Sequence, residues 1–358
     1  MGVIACCQEM NSYKSLNSHI YQINRYVKYT SDYQFVIRRS PLGNLSFLNE
    51  KPNNNKSNEN KKQFLKNKKG EFVVLSYDVE EQYFQEFKVT FPIIKTIEGM
   101  SELNIDKKLY LCGISPKQKD EGSFLFKIDL DKKGFENEEQ NIANVLINSQ
   151  YSHIYPSLIN DKNEKILCVG GKGQTQCELY DLNANKWHSL PQLQEERYKC
   201  TLCLDAKKEY VYLFGGINQN IDNEIKENDN NSDIRILRMN LDRLLIWENL
   251  IIKNNQRNII IINRSSSAAF TFRYDEDFIF IVGGEDSNKN SFDNLLRFSI
   301  KNLKFEMTGI KLKNKAIFIN QNGISIDEQT HCLIDNLNEI HIIERHDCLP
   351  MDYQPDEI

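Results

Sequence analysis

The sequence predicts an all-β chain folded as a β-propeller, six blades of four antiparallel strands each, with five blades as the alternative. Three observations carry this expectation. An octet with large apolar residues at both ends and a polar turn between them recurs as YDVEEQYF (77–84), IDLDKKGF (128–135), YDLNANKW (180–187) and FSIKNLKF (298–305), and once, one residue longer, as MNLDRLLIW (239–247). Its copies begin 51, 52, 59 and 59 residues apart, a period suited to one blade. Before most copies runs an apolar strand ending in glycine, with another extended segment upstream of it, so the unit is four strands.

In chain order, residues 1–30 carry the marks of an acylated anchor. In MGVIACC, Gly2 follows the first methionine and Cys6 and Cys7 stand close behind. The arrangement is similar to a myristoylation site with palmitoylation sites, although Cys6 takes the place where Ser or Thr is preferred. One myristoyl chain binds membranes with an association constant of only about 10⁴ M⁻¹, so a second chain or a basic patch has to assist. Residues 31–49 offer DYQFVIRRSPLGNLSFL as the first two strands of the opening blade. The linker, 50–70, holds Lys56, Lys61, Lys62, Lys66, Lys68 and Lys69. Each lysine near an anionic leaflet adds about 1 kcal/mol; by themselves they read as a solvated connector.

The propeller is expected over 71–346, followed by a tail, 347–358. Glycine pairs close the second strand at Gly170/Gly171, Gly215/Gly216 and Gly283/Gly284, while the first unit keeps only Gly113 and the last has Asp335 and Asn336 instead. Glycine there permits positive φ and close backbone approach. In the octet at 180–187, Tyr180 and Trp187 are expected to fill the space between blades and Asp181 to organise the turn; Trp247 repeats the second aromatic. The last unit lacks a clear fourth strand, so a strand from the N-terminal region is expected to close the ring.

Gly170, Gly171, Tyr180, Asp181 and Trp187, followed by Leu190-Pro191 and Arg197, resemble the kelch repeat. The resemblance covers roughly 70–346 and implies a kelch-type propeller; signatures of WD repeats are absent. It also implies a non-catalytic scaffold for a protein partner; no BTB or F-box segment accompanies the repeats, which disfavours a direct ubiquitin-ligase adaptor. The alternative it implies is an enzyme acting on a sugar or sugar acid, as kelch propellers also occur in a copper radical oxidase and in sugar-acid isomerising enzymes. The six histidines are scattered, with His153 the one near an inter-blade entrance, and no catalytic set is assigned.

In an up-and-down blade, the loops from second to third strand and those between blades emerge on one face. That face is expected to gather Arg197, Tyr198, Arg264, Ser265, Ser266 and Ser267, and the acidic insertion 218–233, for partner binding. Arg197 and Arg264 stand 18 and 19 residues before their glycines, in equivalent places. They suit either a bidentate grip on carboxylates or phosphates or the capping of local turns.

A net charge of −5 gives no attraction to nucleic acid. No run approaches the roughly 20 apolar residues of a membrane span, and the expected location is cytoplasmic, with the acylated terminus at the cytoplasmic face of a membrane. Nine cysteines fit free thiols in such a compartment. Cys200 and Cys203 lie three apart on an expected strand and so face opposite sides. His331, Cys332, His341, His346 and Cys348 follow neither paired zinc spacing, and no metal or cofactor is expected.

Overall fold

Apart from one turn of 3-10 helix, Arg345–Cys348, the regular elements of the described chain are β-strands, as apolar runs punctuated by Gly, Asn and Asp dictate. The computed structural model describes residues 33–39, 71–78, 83–90, 98–105, 108–114, 122–129, 143–161, 164–218, 236–252, 264–286, 288–318, 321–335 and 339–348. Strands β1 (Tyr33–Arg39), β2 (Glu71–Asp78) and β3 (Tyr83–Thr90) form a three-stranded sheet. Five sheets then follow in chain order as the blades of a β-propeller. They are β4 (Glu98–Ile105), β5 (Lys108–Ile114), β6 (Phe124–Asp129) and β7 (Asn144–Val145); β8 (Ser157–Asn160), β9 (Lys165–Gly171), β10 (Gln174–Asp181) and β11 (Lys186–Leu190); and β12 (Thr201–Leu204), β13 (Tyr210–Phe214), β14 (Ile236–Asn240) and β15 (Glu248–Leu250). After these come β16 (Ala268–Phe270), β17 (Phe278–Val282), β18 (Asn294–Ser299) and β19 (Lys304–Lys311), then a three-stranded sheet of β20 (Ile324–Ser325), β21 (Thr330–Ile334) and β22 (Ile340–Glu344).

Neighbouring strands within each sheet pair antiparallel in sequence order, and β4, β8, β12 and β16 lie side by side as the innermost strands. The run from Glu98 therefore has the five-blade count held as the alternative. The segment expected to give the first two strands of the opening blade supplies one strand among the described residues, β1, which pairs with β2 and so joins the sheet of β2 and β3; it lies beside both β4 and β21. It stands between first and last blades without donating a fourth strand to β20-β21-β22.

The apolar residues collect in layers between blades. Tyr180 and Trp187 face each other in register with ring centroids 5.0 Å apart, and they pack on Leu103, Tyr110, Cys112 and Leu125 of the preceding blade. The Trp187 indole N–H donates to the Ile147 carbonyl of that blade at 2.7 Å, and the Trp247 indole repeats the contact one blade on, to Pro191 O at 3.1 Å. Two blades further, Phe214 meets the edge-on ring of Phe298 at 5.5 Å. Full burial of such a side chain is worth about 1.5–3 kcal/mol, which makes these layers the cement of the ring. Cys200 and Cys203 enter different layers, so they do face opposite sides of the sheet.

The turn between third and fourth strands is built as its residues require. Asp181 Oδ1 accepts the amides of Asn183 (2.9 Å) and Ala184 (2.8 Å), which hold its carboxyl below the usual range. Asn240 repeats this with Asp242 and Arg243, and the fourth position after each, Asn185 and Leu244, is left-handed at φ 52° and 48°.

Candidate functional site

Each glycine pair lies against the chain entering the next blade. The amides of Gly171, Gly216 and Gly284 donate to the carbonyls of Arg197, Arg264 and Ala316, each at 2.8 Å. A Cβ on Gly170 would sit 2.4 Å from Arg197 O, and one on Gly215 only 1.9 Å from Arg264 O. The glycines are thus the surface on which successive blades meet, and they hold three inter-blade connections at the mouth of the ring.

Two residues beyond those carbonyls, a belt of backbone hydrogen bonds runs from blade to blade. Tyr155 N–H donates to Gly99 O (2.6 Å), Lys199 N–H to Tyr155 O (3.1 Å), Ser266 N–H to Lys199 O (3.0 Å) and Phe318 N–H to Ser266 O (2.8 Å). Gly99, Tyr155, Lys199 and Ser266 all adopt left-handed backbone, with φ of 60°, 54°, 54° and 55°. A left-handed residue costs roughly 1–2 kcal/mol when it is not glycine, and the belt bonds on both sides of each one offset this. A second tier lies two residues on: the hydroxyls of Ser101, Ser157 and Thr201 donate to Pro156 O (2.5 Å), Cys200 O (2.6 Å) and Ser267 O (3.0 Å). It ends at Ala268, which has no hydroxyl.

The two arginines expected on the rim are inside. Arg197 is 8 % and Arg264 2 % exposed. The Arg264 guanidinium donates to Gly283 O (2.9 Å) and Asn294 Oδ1 (2.7 Å) and lies 4.3 Å over the Phe292 ring. Burial pushes its pKa down to about 9, against the pull of Asp293. His153 is their counterpart in the blade before: Nδ1 donates to Gly170 O at 2.6 Å, and Nε2 lies 2.8 Å from Glu178 Oε2. This place, behind the first glycine, is thus filled by a nitrogenous side chain that satisfies the glycine carbonyl, and an arginine committed there has no reach to the surface. Ser265 and Ser266 are also buried; Ser265 exchanges two backbone bonds of 2.9 Å with Glu285. The geometry of Arg264 matches local capping rather than a grip on a partner.

Tyr198 alone of the expected set keeps a partly open side chain, and Tyr155 and Lys199 join it. The two tyrosine rings are 6.4 Å apart, and Lys199 Nζ is 5.3 Å from the Tyr155 ring and 4.0 Å from Glu285 Oε1. Desolvation lowers the Lys199 pKa; Glu285 opposes this and Lys289, paired with Glu285 at 2.8 Å, adds to it. A cation between an aromatic face and a carboxylate is held in one position. Sequence reading passed over Tyr155 and Lys199, whose only signal is their place two residues after His153 and Arg197.

Gly2, Cys6 and Cys7, the linker lysines and residues 219–233 of the acidic insertion lie outside the described residues. Among the described residues, no helix is long and apolar enough to cross a membrane, and one group, Asp335, Glu339 and His341, has the geometry to hold a metal ion. No protein-family model matches the chain, and no curated protein is significantly similar to it.

Proposed function

We propose that this chain is a non-catalytic interaction scaffold of the kelch type, which presents Tyr155, Tyr198 and Lys199 at the propeller mouth to a protein partner. The observation that carries the reading is the belt: a head-to-tail series of backbone bonds holds Tyr155 and Lys199 before any partner arrives. A rigid face loses little conformational freedom on binding, and tyrosine is among the residues that concentrate binding energy at interfaces. Two acid–imidazole pairs of the kind hydrolases use, His153 with Glu178 and His341 with Asp335, are sealed at no more than 2 % side-chain exposure, and Glu178 also accepts the Gln150 amide at 3.0 Å. That sealing supports recognition over catalysis. In the same proposal, acylation at Gly2, Cys6 and Cys7 tethers the scaffold to an anionic membrane surface, assisted by the linker lysines.

Quantitative cross-linking capture with the full chain, Tyr198→Ala and Lys199→Gln tests the face. Each variant is expected to lose about tenfold or more in recovery of the principal partner, the cost of roughly 1.4 kcal/mol. Equal recovery by folded variants rejects the face. Fatty-acid labelling of the same chain with Gly2→Ala tests the tether: label and membrane retention should disappear together, and retention of both in the variant refutes it.

A further inference from the structure

The place behind the first glycine is polar and buried in several blades, but its chemistry changes in the last. In two blades it holds His153 with Glu178 and Arg264 with Asn294, one nitrogenous group against one oxygen-bearing group. In the last blade Asp335 stands where the glycine would be, and two carboxylates, Asp335 and Glu339, converge with a single imidazole, His341. We propose that these three residues bind one divalent transition-metal ion, of which zinc is the representative, at the mouth face of the propeller.

The hairpin between β21 and β22 makes the arrangement. Ile334 pairs with Ile340, and beyond them Asp335 N–H donates to Glu339 O at 3.0 Å while Asp335 Oδ1 accepts Glu339 N–H at 2.8 Å. Glu339 and His341 are two apart on an extended segment and so project to one side. One ligand atom from each of the three lies within 4.8 Å of the others, and His341 Nε2 is 3.1 Å from Asp335 Oδ2. Ligands bound tetrahedrally at about 2.0–2.2 Å stand roughly 3.4 Å apart, so that pair is already at ligand spacing and Glu339 closes the set with a small rotation.

The surroundings suit a metal. Asp335 and His341 are buried at 1 % and 2 % exposure while Glu339 is partly open, which leaves an entry path on the Glu339 side. Asn314 Nδ2 donates to both Glu339 oxygens, at 2.9 and 2.7 Å, and the Phe318 ring stands edge-on to His341 at 5.8 Å. Such outer contacts orient ligands and tune affinity. Two buried or half-buried carboxylates around one imidazole carry excess negative charge, which a divalent cation offsets where a hydrogen bond does not. An imidazole with two carboxylates suits zinc and its first-row neighbours, with a fourth position left for water or a partner's side chain.

Calorimetric titration of zinc into the chelator-treated full chain tests this, with Glu339→Gln, Asp335→Asn and Asn314→Ala alongside. The wild type is expected to take up one equivalent that both ligand variants bind at least about 100-fold more weakly, and Asn314→Ala about tenfold or more weakly. Zinc held by thiols elsewhere appears in every isotherm and cancels. Because Glu339 is partly exposed, the Gln variant should keep the wild-type circular dichroism, and loss of the equivalent in that folded variant supports the site. A folded wild type without that equivalent, or an isotherm unchanged by both Glu339→Gln and Asp335→Asn, overturns it.

Discussion

Gly215→Ala is expected to destabilise the protein by roughly 3–6 kcal/mol, among the largest effects one methyl group can have. Gly215 is left-handed at φ 56°, and a Cβ there would lie 1.9 Å from Arg264 O and 3.0 Å from Arg264 C and N. Three costs combine. An alanine held left-handed costs about 1–2 kcal/mol. Displacing a packed backbone costs about 1–3 kcal/mol. Straining the 2.8 Å bond from Gly216 N–H to Arg264 O costs about 1 kcal/mol more. Gly173→Ala is the control, because Gly173 is also left-handed, at φ 74°, yet a Cβ there meets nothing within 4 Å. It should cost only the conformational part, about 1–2 kcal/mol. Urea unfolding of the two variants separates close approach from backbone freedom as the reason for the glycine pairs. Equal losses would mean that the next blade does not press on Gly215.

The second large effect is a loss of stability in mild acid that depends on His331. This ring is buried, stacked 4.2 Å from Phe270 with an interplanar angle of 8°. Its Nε2–H donates to Asn322 O at 2.8 Å, and Nδ1 is 3.3 Å from Ser325 Oγ, so the neutral ring is satisfied on both sides. Desolvation pushes its pKa from 6.5 down to about 4, against the backbone carbonyl of Asn322, which favours the proton. Between those values the unfolded chain binds a proton that the folded chain refuses. Stability is therefore whole above about pH 6.5 and falls as the pH drops toward 4, by a total on the order of 3 kcal/mol. His331→Gln, which can still donate to Asn322 O, should flatten this part of the stability profile. A profile with the same slope in the variant and the wild type would show that His331 takes no part in it.

What could be read in the sequence was what repeats locally. The octet at 180–187 shows its turn and its aromatic pair because both ends lie within one hairpin, and the structure keeps Tyr180 opposite Trp187. Glycine pairs were visible too, but not their cause, since the atom that forbids a Cβ on Gly170 belongs to Arg197, in the chain entering the next blade. Equivalent places for Arg197 and Arg264 were also visible. Their direction was not, because the connection runs behind the glycine and turns those side chains inward. The belt escaped notice for a different reason: Tyr155, Lys199 and Ser266 share a backbone angle and no side-chain chemistry. Ser101, Ser157 and Thr201 carry the one legible trace of it, each a hydroxyl in an innermost strand. Asp335, Glu339 and His341 follow no fixed linear ligand spacing, because a hairpin joins them across its turn.

Amide hydrogen exchange tests most directly whether the blades are locked together at the mouth by backbone bonds. Tyr155, Lys199, Ser266 and Phe318 lie outside the strands, yet each amide donates to the preceding blade. Their exchange is expected to be as slow as that of the second strands β9, β13 and β17, and to speed up with them only on global unfolding. Exchange of these four amides at the rate of an open loop, while the strands stay protected, would contradict the belt and the rigid binding face built on it.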